Sequence, residues 1–351
     1  MKRSFIVVSL LALAACSSHP SHPELSDGDA TATAAVPTSS AVADVTPAAG
    51  AIATETAKVA PPAPEGLAPT GSLLDRMPAL CDGGRAYVRV DKVLGGDSAT
   101  SLSGLIDKGL AKNKDKTHAD EVFAALKAGG VDPVKQTKEL AVCEAHGSAN
   151  DLVAVTIDLS KVKDPGTTLE KAIKAGDGDA PKKEVVGDVT YLSSQKSDDV
   201  LAVVGNSVLL FGKDRASVEA AVKGGTKGAG FADAASYVVW ADIPDAPGRG
   251  TVKENGENFE LDVVIHERGI AREKAEIEEK LGAIDQNMGK LPAGVQALVK
   301  PLLPALRAAK LTADGDDSLH ITSTFPKKTV PDVLAAMKKL GPDEIQKVMR
   351  F

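Results

Sequence analysis

Residues 200–211 read VLAVVGNSVLLF, and they indicate the type of fold more clearly than any other stretch. Two apolar runs, Val200–Val204 and Val208–Phe211, flank the turn-forming residues Gly205-Asn206-Ser207. Short apolar, β-branched runs around such a turn are typical of a β-hairpin. The sequence therefore predicts two antiparallel strands here.

Outward from this hairpin, strand-like and helix-like segments continue in both directions along the chain. Alternating or apolar runs predict further strands at 86–91, 139–145, 152–159, 184–193, 237–242, 259–266 and 319–325. Amphipathic spacing predicts helices around 102–110, 122–126, 168–174, 214–222, 271–288, 295–309 and 330–340. Short turns between consecutive strands favour antiparallel pairing, and the intervening helices favour a helical layer.

We therefore expect an α+β fold in which antiparallel sheets carry helices packed on one face. The order of elements is similar to two linked ferredoxin-like units. The first unit is expected at 73–230 and the second at 231–351, with a glycine-rich loop near the boundary.

The first residues have the organisation of an export signal. Lys2 and Arg3 precede the apolar run Phe5–Leu13, which is too short for a permanent membrane span. The following residues, Leu13-Ala14-Ala15-Cys16, resemble the lipobox of bacterial lipoproteins. The resemblance implies removal of a signal peptide, residues 1–15, and attachment of acyl chains such as palmitate to Cys16. An ordinary secretory signal with an incidental cysteine is the alternative.

Residues 16–72 are rich in alanine, proline and threonine and have no sustained helical or strand period. Such composition cannot bury enough apolar surface to offset ordering, so we expect a disordered tether. Because Ser17 rather than aspartate follows Cys16, the lipoprotein resemblance implies the outer membrane, where the cell has one. We expect lipid to be the membrane attachment and the folded part to lie in the cell envelope.

Two further cysteines, Cys81 and Cys143, remain in the expected folded part. An even pair in an exported chain is most simply a disulfide. Two buried free thiols, or half of a metal site, are the alternatives.

The composition of the chain argues against two classes of binding partner, nucleic acids and sugars. With a net charge of −7, the chain lacks the basic surface that binds a phosphate backbone, so we do not expect it to bind nucleic acid. Aromatic residues make up 3% of the chain, which leaves few rings on which sugars or bases could stack.

Four histidines lie in the expected folded part, and two of them offer weak candidates for a metal site. His266 and His320 fall on the polar faces of predicted strands, as does Asp262. Pairing of those strands would create a His/His/Asp cluster able to bind a metal. A solvated sheet face explains the same residues.

The chain contains no Gly-x-Ser-x-Gly, His-Glu-x-x-His or P-loop motif. The apolar helix 295–309 contains Pro301 and Pro304, which are expected to bend it. It could act as a movable lid over a ligand groove, but a core helix packed on the sheet is the simpler interpretation.

The segment Leu126–Lys135, the strand pair after it, and the hairpin and helix that include Val203–Asn206 and Phe211–Lys213 are similar to uncharacterised secreted or lipid-anchored bacterial proteins of unknown function. This resemblance implies no activity. The leading expectation is a non-catalytic envelope lipoprotein that binds or braces another envelope component and needs no cofactor. A carrier of a hydrophobic or acyl ligand in a groove under helix 295–309 is the second expectation, and a metal-dependent hydrolase is the third.

Overall fold

The computed structural model describes residues 72–78, 81, 83–112, 119–144, 151–224, 229–243 and 248–340. The expected signal peptide, Cys16 and almost all of the tether lie outside the described residues, as do His118 and His146. The described part forms one open antiparallel sheet of twelve strands with helices packed on it. The expected α+β class and antiparallel pairing are confirmed.

The strands are numbered along the chain. They are β1 (Gly84–Arg89), β2 (Thr137–Glu144), β3 (Leu152–Ile157), β4 (Lys182–Val186), β5 (Val189–Ser193), β6 (Val200–Val204), β7 (Val208–Gly212), β8 (Val239–Ile243), β9 (Gly248–Asn255), β10 (Asn258–His266), β11 (Lys310–Ala313) and β12 (Ser318–Pro326).

The helices are numbered in the same way, and short 3-10 turns carry no label. They are α1 (Val90–Lys112), α2 (Ala119–Ala128), α3 (Pro133–Gln136), α4 (Pro165–Asp177), α5 (Arg215–Lys223), α6 (Ile270–Gly282), α7 (Ile284–Met288), α8 (Ala293–Val299), α9 (Leu303–Ala308) and α10 (Thr329–Lys339).

The hairpin predicted at 200–211 is formed by β6 and β7. Val204 pairs with Val208, and Gly205 takes the positive φ of 53° that the turn requires. The local sequence is sufficient to predict this hairpin because both strands and the turn lie within a few residues of one another.

The sheet repeats one strand order in two halves that meet at the β1–β8 pair. The complete order is β11-β12-β10-β9-β8-β1-β2-β3-β7-β6-β5-β4. In each half, three strands that are consecutive in the chain lie side by side, starting from the β1–β8 pair. The chain then passes through helices to the outer edge of the sheet. The last strand of each half, β7 or β12, pairs with the third strand, β3 or β10. Residue 230 lies between α5 and β8.

The two halves share one sheet and differ from the ferredoxin-like units expected from the order of elements. A ferredoxin-like βαββαβ unit is also antiparallel, but its third strand lies between the first and the second in the sheet. Here β1, β2 and β3 instead pair with one another in chain order. The short connections in the sequence did not predict this strand order, because β3 pairs with β7, which lies about fifty residues further along the chain.

The two faces of the sheet are named after Tyr87 and Val88, which are adjacent in β1 and therefore point in opposite directions. In the first half both faces are covered. On the Tyr87 face, the 3-10 turn Leu73–Arg76 and α5 pack over apolar side chains of β2, β3 and β7. On the Val88 face, α1, α2 and α4 do the same.

The sequence of β3, LVAVTI, explains the two covered faces, because apolar side chains at successive positions occupy both sides of a strand. The helices of the first half therefore lie on both faces, which differs from the expected single layer. In the second half the strands alternate apolar and polar residues. Their helices lie on the Val88 face alone, where α6 packs on Leu311 and Leu319.

No helix within the described ranges is long and apolar enough to cross a membrane.

Candidate functional site

The entry of the chain into the folded body is fixed by a disulfide. Cys81 and Cys143 are bonded, with their Cα atoms 5.5 Å apart, so the expected pairing is confirmed. Cys143 lies in β2 and is 1% exposed, and Leu74 and Met77 pack into the same core. Disulfides are typical of proteins that fold in an oxidising compartment outside the cytoplasm.

The described residues begin at Ser72, next to Leu73, where the sequence predicts that the folded part begins. Ser72 accepts a hydrogen bond from the Leu74 amide at 3.3 Å, and the Ser72 amide donates to Asp75 at 3.1 Å. This reciprocal cap marks the start of the first helical turn. This turn lies on the Tyr87 face, where Leu73 and Leu74 join the core.

The predicted histidine cluster is only partly assembled. Successive register pairs place Tyr87 opposite Trp240, Trp240 opposite Thr251, and Thr251 opposite Asp262. Directly opposed residues share a face, so Asp262 lies on the Tyr87 face. His320 and His266 follow by alternation, as the sequence predicted.

The structure brings His320 and Asp262 together but leaves His266 apart from them. His320 Nε2 lies 2.5 Å from Asp262 Oδ1, whereas His266 Nδ1 lies 2.9 Å from the Ser318 hydroxyl. The His320 and Asp262 side chains are 42% and 50% exposed. Among the described residues, no three His, Cys, Asp or Glu side chains are placed to bind a metal.

The helix predicted at 295–309 is divided into α8, a 3-10 turn at Lys300–Leu302, and α9. Pro301 and Pro304 lie at these two breaks, as their lack of an amide hydrogen predicts. The simpler interpretation, a core helix packed on the sheet, is correct for the packing, because α9 contacts β12 and the Ser323 hydroxyl donates to the Ala305 carbonyl at 2.6 Å, but not for the burial. None of its apolar side chains is fully buried or belongs to a core cluster; they are Val295, Leu298, Val299, Leu302, Leu303 and Leu306.

The same region has an unusual charge pattern. Between residues 286 and 309 the chain has no aspartate or glutamate but contains Lys290, Lys300 and Arg307. Arg307 is paired with Asp285 through bonds of 3.0 and 2.6 Å. Lys290 and Lys300 are exposed and have no carboxylate partner among the described residues. We call residues 286–309 the basic apolar segment.

A surface cavity of about 350 Å³ lies where the start of α1 meets the start of α10. Three lysines line it, and we call it the lysine cavity. Its lining comprises Lys92, Val93, Leu94, Gly95, Gly96, Asp97, Ser98, Phe259, Lys327, Lys328 and Pro331. No single sequence motif contains these residues, so sequence reasoning missed the site.

A second cavity, of about 430 Å³, lies between α2 and the end of α4. Its lining includes Lys171, Lys174 and Asp177. Neither of these two cavities is lined by residues 295–309, so neither corresponds to the groove expected under that helix.

Comparison with known proteins gives no family assignment. No protein-family model and no curated protein matches this chain. Solved structures that resemble it include crystal forms III, I and IV of TP0453, with TM-scores of 0.37, 0.37 and 0.36 and identities of 14%, 10% and 13%. These alignments cover 76%, 76% and 75% of this chain and 98%, 98% and 96% of the other chain. A likeness at this level carries no argument about function.

Proposed function

We propose that this chain is a non-catalytic, lipid-anchored protein of the cell envelope that binds an acidic envelope protein through the basic apolar segment. The observation that carries the proposal is the combination of half-exposed apolar side chains and unpaired lysines in residues 286–309. Binding or bracing a partner requires such a surface and requires no catalytic group.

The attraction between the segment and its partner comes from burying the exposed parts of these apolar side chains. Leu302 is 38% exposed, and its five apolar neighbours in the segment are half-buried. Each half-exposed leucine has roughly 1 kcal/mol to gain from full burial. The combined gain is several kcal/mol, part of which is offset by the loss of translational and rotational freedom on association.

The lysines favour a partner of opposite charge. Lys290 and Lys300 border the apolar side chains, and no carboxylate between 286 and 309 neutralises them. Complementary charge at the edge of an interface mainly increases the association rate and the specificity. An acidic patch that surrounds an apolar centre therefore fits this surface.

The form of the segment favours a protein partner over a lipid surface. Helices that lie in a membrane interface commonly present one continuous amphipathic face with Trp, Phe or Leu. Here α8 spans Ala293–Val299 and α9 spans Leu303–Ala308, and no aromatic residue occurs between 286 and 309. A fixed, irregular surface of this kind suits recognition of a shaped partner.

The expected anchor at Cys16 restricts the choice of partner to the envelope. A flexible tether of this length has an end-to-end distance on the order of 40 Å. Confinement near the membrane raises the effective concentration of the body for nearby proteins, so a modest intrinsic affinity is sufficient.

Site-specific photocrosslinking in living cells tests this proposal. A photoreactive amino acid replaces Leu302 in the full chain, and the same amino acid at Val185 provides a matched control. Val185 is 61% exposed and lies in the edge strand β4, outside the segment. We expect a discrete protein adduct from position 302 that position 185 does not give.

The adduct partner is then purified and its binding to the full chain is measured. We expect an acidic protein whose affinity falls at least tenfold with Lys300→Glu and also decreases as salt rises. Adducts with lipid alone, equal adducts from both positions, or binding insensitive to Lys300→Glu would each contradict the proposal.

A further inference from the structure

We propose that the lysine cavity binds a small anionic amphiphile, meaning a carboxylate or phosphate group joined to a short apolar chain. The site is independent of the proposed function, because no residue of the basic apolar segment lines it. Charge, apolar lining and open space support the inference separately.

The cavity has an excess of positive charge in a chain whose net charge is −7. Lys327 is ion-paired with Glu254, and this hydrogen bond lowers the pKa of the Glu254 carboxyl. Lys328 has only a loose partner, Asp332 at 3.7 Å, and both side chains are exposed. Among the described residues, no carboxylate forms an ion pair with Lys92. Asp97 also lines the cavity, and Lys92 interacts electrostatically with Glu254, so the three lysines exceed these two carboxylates by one charge. Lys92 and Lys328, which have no close ion pair, are the ammonium groups most available to an anion.

Apolar side chains lie beside these charges. Phe259 is 2% exposed, and the Lys327 ammonium lies 5.9 Å from the centre of its ring. Val93, Leu94 and Pro331 supply the remaining apolar lining. An inorganic anion would use the lysines alone, whereas an anion with a short chain would also contact these apolar groups.

Two exposed glycines in α1 leave one side of the cavity without side chains. Gly95 has φ 54° and ψ 173°, values that no α-helix contains, so α1 is interrupted there. A Cβ atom built on Gly95 or Gly96 would have no other atom within 4 Å. The resulting space of about 350 Å³ lies at the lower end of the range for small-ligand sites.

Calorimetric titration of the purified full chain tests the site with four probes. Decanoate and decyl phosphate combine the required charge and chain, decanol lacks the charge, and inorganic phosphate lacks the chain. We expect the first two to bind at least tenfold more tightly than the last two. Equal binding of decanol would exclude the role of the lysines, and equal binding of inorganic phosphate would exclude the role of the apolar lining.

Two variants locate the site without removing the Lys327–Glu254 pair. Lys92→Gln should weaken decanoate binding about tenfold, which corresponds to about 1.4 kcal/mol. Gly96→Met keeps every charge and places a side chain in the open space, so it should prevent binding. Lys280→Gln is the control, because Lys280 is 73% exposed on α6 and pairs only with Glu276.

Circular dichroism melting verifies that both variants remain folded. Unchanged decanoate affinity in the two folded variants would overturn the proposal, as would the absence of decanoate and decyl phosphate binding to the unaltered chain.

The same chemistry occurs in a free fatty acid and in an anionic lipid of a bilayer. Vesicles that contain phosphatidylglycerol distinguish the two sources. Lys92-dependent binding of monomeric decanoate alone identifies a free ligand, and Lys92-dependent binding of the vesicles identifies a lipid. Loss of Lys92 dependence in both measurements would contradict the site.

Discussion

Removal of the Cys81–Cys143 disulfide should destabilise the folded body substantially. The bond joins residues 62 positions apart and encloses β1, α1, α2, α3 and most of β2. In the unfolded chain it restricts a loop of that length, and the chain-entropy relation gives about 4 kcal/mol. Residual structure in the unfolded chain makes this an upper figure.

The perturbation is the double substitution Cys81→Ala and Cys143→Ala, which avoids placing a hydroxyl in the core beside the 1%-exposed Cys143 position. For a domain of this size, each kcal/mol lowers Tm by roughly 2–4 °C. We therefore expect a fall in Tm on the order of 10 °C, together with a lower denaturant midpoint.

Thermal melting of the original chain and the variant, each with and without a thiol reductant, provides the assay. The reductant should lower the Tm of the original chain toward that of the variant and leave the variant unchanged. Thiol labelling of the denatured, unreduced chain should detect neither Cys81 nor Cys143. A variant that melts within about 2 °C of the original, with no effect of the reductant on either, would refute the reasoning.

Three further predictions follow from single residues. Mass spectrometry of the mature N-terminal peptide should find acyl chains on Cys16, and an unmodified peptide would contradict the lipobox resemblance. Arg76→Met should lower the free energy of unfolding by about 2–3 kcal/mol in urea, since the buried Arg76 Nη1 donates to two carbonyls in the last turn of α5, at 3.3 and 2.9 Å; an unchanged urea midpoint would show that water replaces these bonds. Burial, and next the hydrogen bond to Glu139, raise the pKa of Tyr87 well above its ordinary value. Its stabilising contribution is complete below the unfolded-state pKa of about 10 and is lost as pH rises through the folded-state pKa. The Tyr87→Phe variant should therefore lose less free energy of unfolding above pH 10 than the original chain. Equal losses in the two proteins, measured by denaturation at several pH values, would contradict this.

The elements that the sequence predicted well are those fixed by neighbouring residues. The β6–β7 hairpin lies where its turn residues indicated, and β10 (Asn258–His266) matches the alternation that predicted a strand at 259–266. Pro301 and Pro304 also mark the observed helix breaks. In each case the deciding interactions lie within one turn or one pleat of the residue concerned.

The pairings that define the architecture are not local. β1 forms a pair with β8, about 150 residues further along the chain, and this contact joins the two halves. A strand's own pattern shows which of its faces is apolar, but not which distant strand satisfies its backbone groups. Tertiary packing made that choice and produced one continuous sheet.

The lysine cavity was hidden for the same reason. Lys92 follows β1, whereas Lys327 and Lys328 follow β12, near the other end of the folded part. Lysines at these positions look like ordinary solvated residues. The one local signal was the pair Gly95-Gly96, because adjacent glycines favour a break in a helix, and α1 is interrupted at Gly95.

The buried apolar residues are unevenly distributed between the two halves of the sheet, and this difference indicates different roles. In the first half helices cover both faces, and its two largest clusters contain most of the buried apolar residues. In the second half Asp262 and His320 leave the Tyr87 face polar, and the cluster under α6 contains three buried residues. Segments with few buried contacts open more readily than a core. The first half therefore supplies most of the stability, while the second half supplies the basic apolar segment and, with α1, the lysine cavity. Substitutions that disturb binding without unfolding the protein should concentrate at residues 92–98 and between residues 259 and 332.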